Sequence, residues 1–106
     1  MEIESTHHID AGEKGADGRY DYYYEYDLYR FSDGATVIVA RSYTDEPQET
    51  HFLRIERDGK PDLLKAEDLR QTLFVQSVHY LRGIGKQKLS WLSGRAGDYE
   101  PLLPST

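Results

Sequence analysis

Residues 20–44 read YDYYYEYDLYRFSDGATVIVARSYT, and the fold turns on how this stretch pairs with itself. Tyrosine and phenylalanine favour strands because their rings pack on a pleated, half-buried surface. Successive side chains of a strand point to opposite faces. One face of the first arm then carries Tyr20, Tyr22, Tyr24, Tyr26, Leu28 and Arg30, and the other Asp21, Tyr23, Glu25, Asp27, Tyr29 and Phe31. The first set is apolar with hydroxyl tips and the second holds three carboxylates, so the even-numbered face is expected to look inward. Asp33-Gly34 is a strong hairpin signal, because a type I′ turn needs positive φ at both central residues. With those two residues in the turn, Leu28 faces Val39, Tyr26 faces Arg41 and Tyr24 faces Tyr43. A three-residue loop with a bulge at Gly34 would instead set Leu28 opposite Ile38.

Working outward, Val37-Ile38-Val39 is apolar on both faces, which suits a central strand. His51–Arg57 reads as a third strand with Leu53 and Ile55 in the core, ended by the turn signal Asp58-Gly59. Residues 65–83 place Ala66, Leu69, Leu73, Ser77, Tyr80 and Leu81 on one helical stripe. Arg70 interrupts the arc, and Gly83 stands where a helix cap belongs. TLFVQSVHY, residues 72–80, also has strand composition, so a strand there is the alternative. Within residues 84–94, Leu89 and Trp91 alternate like a short strand that could close an edge, and a last helical turn capping the core fits equally. The expected fold class is therefore α+β: a three-stranded antiparallel meander over residues 20–57 with one helix packed on a face, and a short fourth strand near 84–94. Residues 1–19 lack periodicity and read as a flexible N-terminal arm. Residues 95–106 read as a tail with Leu102 and Leu103 tucked back.

The chain of 106 residues suits one domain. It has no cysteine, which removes disulfides, thiolate metal sites and cysteine nucleophiles. No stretch approaches the roughly 20 apolar residues of a membrane span. The acidic start, MEIESTHHID, has no apolar secretory region, so a cytoplasmic location is expected. The net charge of −6 is unevenly placed, with eight acids against two bases in residues 1–27 and three against seven in residues 60–95. The acidic balance argues against general nucleic-acid binding, which leaves contact through the basic 60–95 segment as a third alternative, behind a protein partner and a small ligand.

No catalytic constellation, cofactor or metal site emerges from spacing. His7 and His8 on a mobile arm do not supply three converging ligands. Ser42, Ser77 and Ser90 are not linked by spacing to His51 or His79. The RGIGKQK run follows a helix, where a phosphate loop would precede one. The candidates left are a surface of Tyr20, Tyr22, Tyr24, Tyr26, Arg41 and Tyr43 for a protein partner or a second copy, and His51 with Arg54 for a ligand. Tyrosines supply rigid amphipathic contact area, and Asp21, Glu25 and Asp27 on the same strand favour a basic partner. The alternative is a pocket between sheet and helix serving a small ligand or catalysis.

Overall fold

The computed structural model describes residues 1–93 and 97–102. Seven strands and one α-helix follow one another as β1 (Glu2–Ala11), β2 (Tyr23–Asp33), β3 (Thr36–Tyr43), β4 (Glu49–Arg57), β5 (Lys60–Asp62), α1 (Thr72–Gly83), β6 (Lys88–Ser93) and β7 (Asp98–Pro101), with a 3₁₀ turn at Ala66–Arg70 before α1. The strands form one sheet in the order β1-β2-β3-β4-β6-β7. All neighbours are antiparallel except β4 and β6. Parallel neighbours need a crossover, normally helical, and α1 lies in this one. The second edge of β4 is shared, with Glu49–Phe52 pairing β6 and Ile55–Arg57 pairing β5.

The α+β class holds, and the meander becomes the middle of a larger sheet. Residues 2–11, expected in an unstructured arm, pair with β2 from Glu2–Ser32 to Ala11–Tyr23. Only Ile3, Ile9 and Ala11 are aliphatic there, so the strand rests on its backbone ladder rather than on an apolar alternation. The expected tail contains β7, and Leu102 packs against the core as anticipated; Leu103 lies outside the described residues. Residues 72–80 are helical, not a strand, and Lys88–Ser93 is a strand set inside the sheet between β4 and β7. The helical stretch breaks at Gln71 (ψ 146°), beside the interrupting Arg70.

The inward face of the hairpin is the odd one. Tyr29 and Phe31 are buried with Ile38 and Ala40, while Tyr20, Tyr22 and Tyr24 keep about half their surface exposed. Phe31 and Tyr29 meet Tyr80 of α1 edge-on at 5.8 and 6.5 Å. Phe52 meets Phe74 at 4.5 Å. A bulge between Val39 and Ala40 on the β3–β4 ladder shifts β4 by one residue, so Phe52 joins Ile55 in the core and Leu53 turns to the opposite face. Each such buried side chain stabilises by roughly 1.5–3 kcal/mol.

The hairpin register also differs from both expectations. Asp33 pairs with Thr36, leaving Gly34 and Ala35 in the turn. Gly34 has φ +61° and Ala35 does not have positive φ, which is the type II′ arrangement with glycine first. The type I′ pair is instead Asp58-Gly59, with φ 52° and 78°, between β4 and β5. At the end of α1 the left-handed glycine is Gly85, not Gly83. Gly85 N–H donates to the Arg82 carbonyl and Lys86 N–H to that of Leu81, the two bonds of a Schellman motif.

Candidate functional site

Because α1 covers one face of the sheet, the functional candidates gather on the other. Opposite the helix, β2 presents Tyr24, Tyr26, Leu28 and Arg30, and β3 presents Val37, Val39, Arg41 and Tyr43. The slip of two residues in register preserves which faces meet. Tyr26 is therefore paired with Tyr43 rather than Arg41, yet the expected ring contacts form. Tyr24 and Tyr26 lie 5.9 and 5.8 Å from Tyr43. Arg41 lies over Tyr43 at 4.8 Å and over Tyr26 at 5.9 Å. The row continues to Tyr22 against Tyr24 at 6.0 Å and to His8 stacked on Tyr26 at 5.4 Å. Tyr20 packs against Tyr23 instead, at 5.6 Å.

The row extends past the covered body of the sheet. β3 ends at Tyr43 opposite Tyr26, while β1 and β2 continue as a two-stranded ribbon to Ala11 and Tyr23. There Tyr23, Tyr24 and Tyr43 line a hollow of about 150 Å³ together with Glu25, Thr44 and Asp45. Tyr23 donates its hydroxyl proton to Glu25, which raises the tyrosine's pKa above its ordinary value. On the helix side of the ribbon, His7 sits between Asp27 and Glu25 at 2.6 and 3.2 Å. The hydrogen bond to Asp27 raises its pKa.

The ligand candidates His51 and Arg54 are not close partners of each other. Arg54 and Arg30 both hold Glu56, each at 2.9 Å, and the two arginines flank Val39, their register partner on β3, which is fully buried although it faces away from α1. The two guanidiniums, Arg54 first, lower the Glu56 pKa below the usual carboxylate value. Nearby, Arg41, Arg54, Leu53, Leu63, Leu92 and Tyr99 are among the walls of an open depression of about 550 Å³, which also includes Pro61 and Asp62. Arg41 reaches the Tyr99 hydroxyl at 3.4 Å and has no carboxylate partner among the described residues.

His51 is hydrogen-bonded through Nδ1 to Ser90 Oγ on the adjacent strand, and its Nε2 faces Glu49 at 3.9 Å. Tyr99 lies against its ring at 4.7 Å. Burial pushes its pKa below the ordinary value, Arg41 adds to this and Glu49 opposes it. Spacing did not connect Ser90, His51 and Glu49; the parallel β4–β6 register does, by setting His51 beside Ser90. The set resembles a nucleophile with a base, but β6 is paired on both sides, so its amides are committed to ladders instead of an oxyanion site. Glu46, Glu49 and His51 each offer one ligand atom, all within 4.8 Å of one another, and are the described residues that could hold a divalent cation. The hydrogen bond and charge of Glu49 raise the Glu46 pKa.

The anticipated sheet–helix pocket would not contain these residues, since His51, Arg41 and Arg54 lie on the far face. Sequence reasoning missed Tyr99, Glu49 and Asp45, which reach the site only through long-range pairing or a turn. The basic residues of 60–93 are spread over β5, the 3₁₀ turn, α1, β6 and their connections, and Arg95 lies outside the described residues. No protein-family model, curated protein or solved structure matches this chain.

Proposed function

We propose that the protein is a non-catalytic interaction module that takes a basic segment of a partner protein at the tyrosine end of its sheet. The observation that carries this reading is the hollow lined by Tyr23, Tyr24, Tyr43, Glu25 and Asp45. Ring faces attract a cation, and carboxylates give it charge-assisted hydrogen bonds. A hollow of about 150 Å³ suits one lysine ammonium or arginine guanidinium. Exposed Tyr20 and Tyr22 offer apolar contact to the neighbouring residues of such a segment at low entropic cost. The acidic front of the chain would steer a basic partner toward this end.

The test is calorimetric titration with a lysine- and arginine-rich peptide, beside an acidic peptide of equal length. Binding of the basic peptide should weaken at least tenfold in Tyr24→Ala and in Asp45→Asn, with the fold unchanged by circular dichroism. Equal binding of the acidic peptide, or affinity untouched by both substitutions, would remove the reading.

A second reading rests on Arg41. A guanidinium without a carboxylate partner, beside Leu53, Leu63 and Leu92 in an open depression, suits a small acid with an apolar body. Chemical-shift changes confined to Arg41, Leu92 and Tyr99 on adding an aromatic carboxylate would support it, and none at millimolar ligand would dismiss it.

A further inference from the structure

We infer that the free edge of β1 is a self-association surface, on which a second copy of this chain pairs antiparallel with Thr6 on the twofold axis. The inference is independent of the basic-segment reading, which uses the strand ends of β2 and β3.

The sheet begins with β1, so one side of a ten-residue strand has no neighbour among the described residues. A long open edge presents a row of unpaired amides and carbonyls and is a template for another strand. Which residues present them follows from the ladders. Gly12 N–H donates to the Tyr22 carbonyl at 2.9 Å and Thr44 N–H to the Glu25 carbonyl at 3.0 Å. Even residues of β2 therefore bond to β1 and odd residues bond to β3, with even residues of β1 turned toward β2. Ile3, Ser5, His7 and Ile9 direct their backbone groups to the open edge.

A twofold axis normal to the sheet keeps each residue on its own face, so odd residues must meet odd ones. With the axis on Thr6, Ile3 stands opposite Ile9 of the second copy and Ser5 opposite His7, as hydrogen-bonded pairs. Between them Glu4 stands opposite His8. The two isoleucines are 38% and 59% exposed, and each would cover the other in both halves of the interface. Glu4 would meet an imidazole already fixed by Thr6 at 2.7 Å and by the Tyr26 ring. The one unfavourable pair, Glu2 with Asp10, falls at the exposed strand ends. Moving the axis to Ser5 sets Ile3 against His7. Moving it to His7 sets that residue against itself and Glu4 against Asp10. Among these three registers, only the one centred on Thr6 sets the two isoleucines against each other; the axis on Ser5 sets Ile9 against Met1 and the axis on His7 sets Ile3 against Ala11.

The full-length chain should sediment as a concentration-dependent dimer across the micromolar range. Ile9→Lys, which puts a charge on the edge, should raise the dimer dissociation constant at least tenfold. Because the chain has no cysteine, Thr6→Cys gives a direct reading of register. Opposite residues of a non-hydrogen-bonded pair have Cα atoms about 4.5 Å apart, within disulfide range. Thr6→Cys should therefore cross-link to a covalent dimer on mild oxidation, and Glu4→Cys should not. A wild-type monomer at high micromolar concentration would overturn the inference. So would a dimer that survives Ile9→Lys with an unchanged circular dichroism spectrum, or cross-linking by Glu4→Cys and not by Thr6→Cys. Should Ile9→Lys fail to fold, the cysteine pair still decides.

Discussion

Arg41 lies over the ring of Tyr43, its guanidinium carbon 4.8 Å from the ring centroid, and so ties the tyrosine row to the His51 side of the sheet. The contact is partly desolvated, where a cation–π pair is worth about 1–2 kcal/mol, and the stem of the arginine covers apolar surface besides. Arg41→Ala should lower stability by about 2 kcal/mol on that basis. The same change removes a positive charge that holds the His51 pKa down. The His51 ring should therefore titrate at higher pH in Arg41→Ala than in the wild type, while Arg41→Lys keeps much of the electrostatic effect. Following the four histidines by NMR against pH checks both parts, and an unmoved His51 would separate the two residues.

Much of the sheet's middle was legible, for a particular reason. A strand's side-chain period is two, so the slip from the expected register to the one with Asp33 opposite Thr36 changed partners without changing faces. The tyrosine row and its arginine survive on that parity. The inward face was misjudged because carboxylates were read as marking solvent. Asp27 and Glu25 do share a face with Tyr29 and Phe31, but they lie farther along β2, where they hold His7. β1 was invisible because its pairing is a backbone ladder to a distant strand and its composition is polar. β7, with Tyr99, was lost for the same reason, and with it the far wall of the Arg41 depression.

Two of the three Asp-Gly dipeptides, Asp33-Gly34 and Asp58-Gly59, give a sharp check on the turns. Asp58 takes φ 52° at the head of a type I′ turn, whereas Asp33 is a paired strand residue before Gly34. Asp58→Gly relieves a left-handed residue and should leave stability unchanged or slightly raised. Asp33→Gly should destabilise by about 0.5–1 kcal/mol, the cost of glycine inside a strand. Gly34→Ala meets no neighbour within 4 Å of the new Cβ, so its cost of about 1–2 kcal/mol is backbone strain alone. Urea midpoints at constant slope measure all three. Asp33→Gly behaving like Asp58→Gly would mean that Asp33 lies in the turn.

Two groups give stability opposite pH trends. Arg54 and Arg30 lower the Glu56 pKa below its ordinary 4.5. That contribution is full above 4.5 and disappears as pH falls through the folded-state value. His7 is raised above 6.5 by its hydrogen bond to Asp27 and by Glu25. Its contribution is full below 6.5 and fades as pH rises through the folded-state value. Denaturant titrations across pH should show Glu56→Gln flattening the acid limb and Asp27→Asn flattening the decline above 6.5. The His7 resonance should also move down toward its ordinary pKa in Asp27→Asn. A wild-type acid limb in Glu56→Gln would mean that the Arg30–Glu56–Arg54 cluster contributes nothing to folding.

Asp68 is the buried carboxylate on which the approach to α1 depends. It is 2% exposed and accepts hydrogen bonds from the Arg57 guanidinium, from the Lys65 backbone N–H at 2.8 Å and from the Gln71 side chain at 3.1 Å. It thus joins the end of β4 to both ends of the 3₁₀ turn. Deleting the carboxylate orphans three donors, and the loss should be about 3 kcal/mol. Arg57 is nearly half exposed, so Arg57→Ala leaves Asp68 with two donors and some access for water, and should cost about 1–2 kcal/mol. Once Asp68 is gone, the guanidinium has nothing further to lose there. The double variant should therefore be no less stable than Asp68→Ala by itself, with a coupling energy close to the whole effect of Arg57→Ala. Strictly additive losses would show that the two side chains stabilise the protein separately, and that the 3₁₀ turn is held by Lys65 and Gln71 without help from β4.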